Sequence, residues 1–153
     1  MVSFSITTVR RCRGSTSPLS MSKVTTSCPC GGAEYAFCCG RFIDDGKLPT
    51  TAEELMRSRY CAFTRNDEAY VSATWSAATR PPPPLTSSED GAQWLGLDVR
   101  NHRSEGDSAT VEFIARYRIN GRAHRLHEVS RFVREQGRWY YLDGSFPAGR
   151  KTP

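Results

Sequence analysis

Apolar and polar positions change their spacing twice along this chain, and each change marks a change of element. Between residues 52 and 64, Ala52, Leu55, Met56, Tyr60 and Phe63 recur at three- and four-residue intervals, which predicts one face of an amphipathic helix. Thr50-Thr51-Ala52-Glu53 just after Pro49 reads as a capping box that opens it. A second helix is expected to start at Asn66 and to carry Tyr70, Val71, Thr74 and Trp75. Arg80 and the run Pro81–Pro84 end it and form a stiff extended link. Ser87 or Ser88 can cap a third, short helix holding Trp94 and Leu95.

From Leu97 onward the period is two. Val111, Phe113, Ala115, Tyr117 and Ile119 alternate with Glu112, Arg116 and Arg118, the signature of a half-buried strand. A first strand is expected over 97–102, before a turn at Ser104-Glu105-Gly106-Asp107. Asn120-Gly121 is a hairpin signal, the next strand runs from Arg122 to about Arg134, and Gln136-Gly137 turns the chain into a last strand over 139–142. Helices followed by an antiparallel meander make an α+β domain, with helices packed on the concave face of a curved antiparallel sheet.

The six cysteines break this picture of an ordinary small domain. Four of them, Cys28, Cys30, Cys38 and Cys39, fall in the stretch CPCGGAEYAFCCG at 28–40. Pro29 keeps the first pair extended. Gly31 and Gly32 let the backbone turn, and a helical turn over 34–39 would aim the adjacent pair at one centre. Four sulfurs at this spacing predict one structural zinc ion, with no open position for catalytic water. Disulfides Cys28–Cys38 and Cys30–Cys39 are the alternative. No apolar segment suited to secretion is present, which points to a reducing, cytoplasmic setting and so to the metal. Cys12 reads as a tail residue and Cys61 as an apolar helix residue. FIDDGKLP, at 42–49, reads as a loop.

This stretch resembles the SEC-C motif at the end of the SecA translocation ATPase and in several small bacterial proteins. Its short spacing, with LMRSRYCAF (55–63), WLGL (94–97), SRF (130–132) and WYYLDG (139–144), is similar to the YchJ-type family of uncharacterised bacterial proteins. The resemblance implies a nuclear-transport-factor-2-like cone behind a small amino-terminal zinc knuckle. The expected divisions are a disordered tail or upstream extension over 1–20, with Met21 as the natural start, a knuckle over 21–45, the cone over 46–147 and a tail over 148–153.

Charge adds little. The net charge is +5, but Arg10, Arg11 and Arg13 lie in residues 1–20, where there is no acid, and 18 basic residues face 16 acids in the remainder. No apolar run is long enough for a membrane span. Arg116, Arg118, Arg125 and Arg131 share the outer face of neighbouring strands and offer a basic strip for RNA or a ribosome; such strips are more often plain solvated surface. His124 and His127 have opposite phases and His102 lies near a loop, so no triad or zinc spacing arises from the histidines.

More informative are polar groups at apolar positions. Helical projection sets Arg59 inside the apolar stripe of its helix. Glu128 and Ser130 share the inward face of their strand with Leu126 and Phe132, and Trp139, Tyr141 and Asp143 share a face of the last one. The cone is thus expected to enclose Arg59, Glu128, Ser130 and Asp143 with Tyr60, Trp75 and Tyr141. Arg59 is expected to contact Glu128 or Asp143, either as a buried ion pair that fixes helix to sheet or as part of a pocket. The leading expectation is a non-enzymatic module that docks on a protein or ribosome-associated partner through the knuckle. Small-molecule binding or acid–base catalysis in the cone is the alternative, and RNA binding a further one.

Overall fold

The computed structural model of the chain describes residues 26–86 and 91–147. Three helices precede four strands: α1 (Gly40–Ile43), α2 (Ala52–Thr64), α3 (Glu68–Ala73), β1 (Gln93–Glu105), β2 (Ser108–Ile119), β3 (Arg122–Glu135) and β4 (Arg138–Ser145). The strands form one antiparallel meander in the order β1-β2-β3-β4. The α+β plan read from the sequence is the plan of the molecule.

Asn120 and Gly121 close the β2–β3 turn with φ of 50° and 76°, the left-handed pair that a two-residue hairpin demands. Register shifts interrupt β1 between Trp94 and Gly96 and between Val99 and Asn101, and the β3–β4 pairing between Arg131 and Phe132. Such bulges add twist and bend a sheet. The curved sheet receives α2, which packs on β1, β2 and β4. Leu55, Met56, Tyr60 and Cys61 of α2 meet Ala109, Val111, Phe113 and Ala115 of β2, Phe132 of β3 and Trp139 of β4 in one core.

The helix starts correct the sequence reading by one residue each. Thr51, not Thr50, caps α2: its side chain accepts from the Glu54 N–H at 3.1 Å, and the Glu54 carboxylate accepts from the Thr50 N–H at 2.8 Å. Asp67, not Asn66, caps α3 by accepting from the Tyr70 N–H, because Asn66 takes a φ of 54° to turn the chain out of α2. The FIDDGKLP segment is not loop throughout, since Phe42 and Ile43 belong to α1.

A larger correction concerns Trp94 and Leu95, which lie in β1 and not in a third helix. Strand pairing sets Trp94 opposite Tyr117, with ring centroids 5.5 Å apart, and brings it within 5.6 Å of Tyr60 on α2. A helix there would lose both contacts. The suggested caps Ser87 and Ser88, and the tails expected over 1–20 and 148–153, lie outside the described residues. Among the described residues no helix is long and apolar enough to cross a membrane.

Candidate functional site

Two sites flank α2. On one side the knuckle folds back on itself: the Cys28 N–H donates to the Ala33 carbonyl at 2.8 Å and the Gly31 N–H to the Cys28 carbonyl at 3.0 Å. A 3-10 turn over Tyr35–Phe37 follows, and Cys39 leads into α1. This local folding gathers Cys28, Cys30, Cys38 and Cys39 so that their sulfurs all lie within 4.8 Å of one another. The Cys30 and Cys38 sulfurs are 3.5 Å apart, and those of Cys38 and Cys39 4.0 Å.

A tetrahedron of metal–sulfur bonds near ~2.3 Å has edges of about 3.8 Å, so the spacing fits a single ion. Gly32 supports the fit: a Cβ there would come within 2.6 Å of the Cys38 sulfur, so only a bare backbone leaves room around the cluster. Hydrogen bonds from Cys39 and Cys61 pull the Cys30 thiol below the usual thiol range, while the bond to Cys30 pushes Cys39 above it and burial pushes Cys38 above it, so one thiolate shares its charge among its neighbours.

The cluster is bound into the domain. Cys30 has no exposed surface and Cys39 almost none. Arg57 of α2 donates from Nη1 to the Cys30 carbonyl at 2.9 Å while Glu53 holds its other edge. Arg65 lies over the Tyr35 ring at 4.0 Å and pairs with Asp44 at 3.6 Å. Cys61 projects from α2 to within 3.5 Å of the Cys28 sulfur. It is thus both a member of the apolar core, as its helical position predicts, and a fifth thiol beside the four. Spacing could not reveal this, because 33 residues separate it from Cys28.

On the other side, α2 and the residues just after α3 close over the inner faces of the strands to leave a cavity of about 240 Å³. Arg59, Tyr60, Trp75, Glu128, Ser130 and Tyr141 all line it. Met56, Phe63, Trp94, Phe113, Leu126 and Phe132 complete most of the wall. The sequence did not single out these walls as a site, since apolar residues at core spacing carry no distinguishing signal.

Arg59 is only 5% exposed. Its Nη1 donates to the Val71 carbonyl at 2.9 Å and to Thr74 Oγ1 at 2.7 Å. The guanidinium lies over the rings of Tyr141 at 4.5 Å and Trp75 at 5.1 Å. Burial lowers its pKa to about 10, against the pull of Tyr141 and Glu128 toward the charged form. Glu128, 8% exposed, accepts through Oε1 from Ser130 Oγ at 2.9 Å and from the Tyr141 hydroxyl at 2.8 Å. Burial, then the Glu128 charge, pushes the Tyr141 phenol well above its ordinary value.

The expected contact of Arg59 with Glu128 or Asp143 is not made. Among the described residues no carboxylate pairs with Arg59; Tyr141 stands between, with its ring under the guanidinium and its hydroxyl on Glu128. Asp143 is outside the cavity altogether. Pairing of Arg131 with Asp143 and of Phe132 with Tyr141 leaves Leu142 as an extra residue, which turns Asp143 to the outer face. There it accepts from Arg131 Nε at 2.6 Å, and that bond lowers its pKa from the ordinary carboxylate value. Of the outer arginines, Arg131 is thus neutralised, while Arg116 and Arg125 stand directly opposite each other and exposed. His127 pairs with Glu112 at 2.8 Å and His124 stacks on Tyr117.

Comparison with known proteins follows the same outline. A family model described as the middle, NTF2-like domain of YchJ matches residues 51–144. A UPF0225 protein of Methylibium petroleiphilum is 55% identical over 122 residues, covering 76% of this chain and 86% of that one. One from Chromobacterium violaceum is 45% identical over 130 residues, covering 82% and 96%. The solution structure of a SEC-C motif containing protein from Rhodopseudomonas palustris is similar, with a TM-score of 0.70, 33% identity, and coverage of 79% of this chain and 98% of that one. The crystal structure of a SEC-C motif containing protein from Psychrobacter arcticus gives a TM-score of 0.62 at 25% identity, covering 84% and 85%.

Proposed function

Since this chain belongs to the UPF0225 family, with a YchJ-type NTF2-like domain, we propose that it is a small-molecule-binding protein whose ligand enters the cavity beneath α2. In this reading one structural zinc ion, held by Cys28, Cys30, Cys38 and Cys39, clamps the amino-terminal knuckle to the helix. The observation that carries it is Arg59, a buried cation with no acid partner among the described residues, lining an aromatic cavity. The hydrogen bonds to Val71 and Thr74 and the faces of Tyr141 and Trp75 offset part of the cost of burying it, and a ligand on its free edge would offset more. Docking on a protein partner through the knuckle is less well supported, because three of its four cysteines are buried against the domain and are not held out from it.

Zinc-loaded protein is to be titrated with a small-molecule fragment panel and followed by NMR. Binders are expected to shift the Trp75 indole N–H and to lose affinity in Arg59→Met. A panel whose binders all leave that resonance unmoved refutes the reading. Metal analysis of the same sample is expected to give one zinc per chain.

A second reading, contact with RNA, has one observation in its favour. Arg116 and Arg125 face each other across β2 and β3, an arrangement of like charges that costs stability in isolation. RNA affinity that falls steeply with salt, and less steeply in Arg116→Ala, supports it; salt-independent binding or none refutes it.

A further inference from the structure

Which small molecule the cavity suits depends on what its polar end leaves unmade. Arg59 spends Nη1 on Val71 and Thr74, so Nε and Nη2 have no hydrogen-bond partner among the described residues. Glu128 spends Oε1 on Ser130 and Tyr141, and its Oε2 likewise has none. Both side chains line the same cavity, whose volume is about 240 Å³.

Charge then narrows the class. The guanidinium and the carboxylate bring one positive and one negative charge to a space walled by aromatic groups. An anionic ligand drawn to Arg59 meets the field of Glu128, and a cationic one drawn to Glu128 meets that of Arg59, so a net charge of either sign is disfavoured. A hydrocarbon satisfies neither group and would shut out the solvent that reaches them, leaving donors and an acceptor unpaired. The head group that answers both is neutral and has a carbonyl beside an N–H. Shape agrees with a flat ligand. Trp75 meets Tyr141 edge-on at 4.9 Å, and Tyr60 meets Trp94 edge-on at 5.6 Å, an arrangement that presents ring faces and edges to a further ring.

Resting on the small-molecule reading above, we infer that the cavity takes a small, uncharged, planar cyclic amide, its carbonyl on the free edge of Arg59 and its N–H on Glu128 Oε2.

Four bicyclic probes that share one ring size test this on full-length, zinc-loaded protein: 2-quinolinone, 2-naphthoate, 2-naphthamidine and naphthalene. Affinity is read by calorimetry and site by the Trp75 indole N–H signal. Wild-type protein is expected to prefer 2-quinolinone over each of the others by about tenfold or more, as for a buried hydrogen bond made rather than missed. Glu128→Gln removes the negative charge in the same shape, and the preference is expected to move to 2-naphthoate. Arg59→Met is expected to abolish selection between 2-quinolinone and naphthalene. Wild-type preference for a charged probe, or for naphthalene, or a Glu128→Gln protein with unchanged ranking, overturns the inference and leaves the small-molecule reading standing. If none of the four moves the Trp75 signal, both fall.

Discussion

Gly144 offers the sharpest test of how Glu128 is held. A methyl group built on Gly144 would stand against Glu128 Oε1 and within 2.7 Å of its Cδ and 2.9 Å of its Cγ. The strand cannot yield easily, because Gly144 is paired with Ser130 in the β3–β4 ladder. Its φ lies outside the left-handed range, so alanine carries no backbone strain of its own there. The carboxylate must therefore move, and its hydrogen bonds from Ser130 and Tyr141 are bent or broken. Hydrogen bonds to a charged group contribute ~1.5–3 kcal/mol each, and partial relaxation recovers some of that loss, so Gly144→Ala is expected to cost about 2–4 kcal/mol. In a Glu128→Ala background nothing is left to displace, and the same substitution is expected to cost under ~1 kcal/mol, since alanine suits a strand at least as well as glycine. The difference between the two backgrounds is a coupling energy of about 2 kcal/mol, measurable by urea denaturation of the four zinc-saturated proteins. Equal costs in both backgrounds would refute the account, because the damage would then lie in the backbone and not in the carboxylate.

Four further outcomes follow from the metal side. Cys38→Ser, at the least buried of the four cysteines, is expected to lower bound zinc well below one per chain by native mass spectrometry. Cys61→Ser is expected to keep one zinc and to lose about 1–2 kcal/mol in urea, the cost of a poorly partnered buried hydroxyl; loss of the ion would show that Cys61 is a ligand. Arg57→Leu frees the Cys30 carbonyl and is expected to cost about 1–2 kcal/mol and to speed zinc transfer to a chromogenic chelator. Because thiolates must be deprotonated to hold the ion, acidification is expected to release zinc and, with it, the protein's stability; a denaturation midpoint that ignores pH and chelator alike would contradict the clamp.

How far the sequence could be read depended on whether a residue's partner was near in the chain. Alternation through Val111–Ile119 and the Asn-Gly turn fixed β2, β3 and their inward faces, because period and turn chemistry are local. The cysteine spacing was equally local, and the four sulfurs do converge. Burial of Arg59 followed from helical projection, yet its partners did not: Val71 and Thr74 reach it only because α3 folds back against α2. Asp143 shows how little is needed to defeat a periodic argument. One extra residue, Leu142, turns it from the cavity to solvent, and nothing in WYYLDG announces a bulge. WLGL failed differently. A four-residue apolar run fits helix or strand, and its choice was made by Tyr60 and Tyr117, both distant in sequence.

The two sites are joined by one element, and that orders the energetics. Along α2 and its C-cap, Arg57, Cys61 and Arg65 follow at four-residue steps and turn one row of side chains to the knuckle. Met56, Arg59, Tyr60 and Phe63 form the adjacent row and line the cavity. A helix of 13 residues has little independent stability in water, so tertiary contacts on both rows hold it in place. Those on the knuckle row exist only while residues 28–40 stay folded, and that short glycine-rich segment has few apolar residues to fold on, with Phe37 at its apex 70% exposed. In the proposed reading the ion adds to the contacts of Arg57 and Arg65 that hold this segment in place. On that reading a metal ion at the four cysteines therefore bears on ligand binding from the far side of the helix, without touching the cavity, through how firmly α2 presents Arg59 to it.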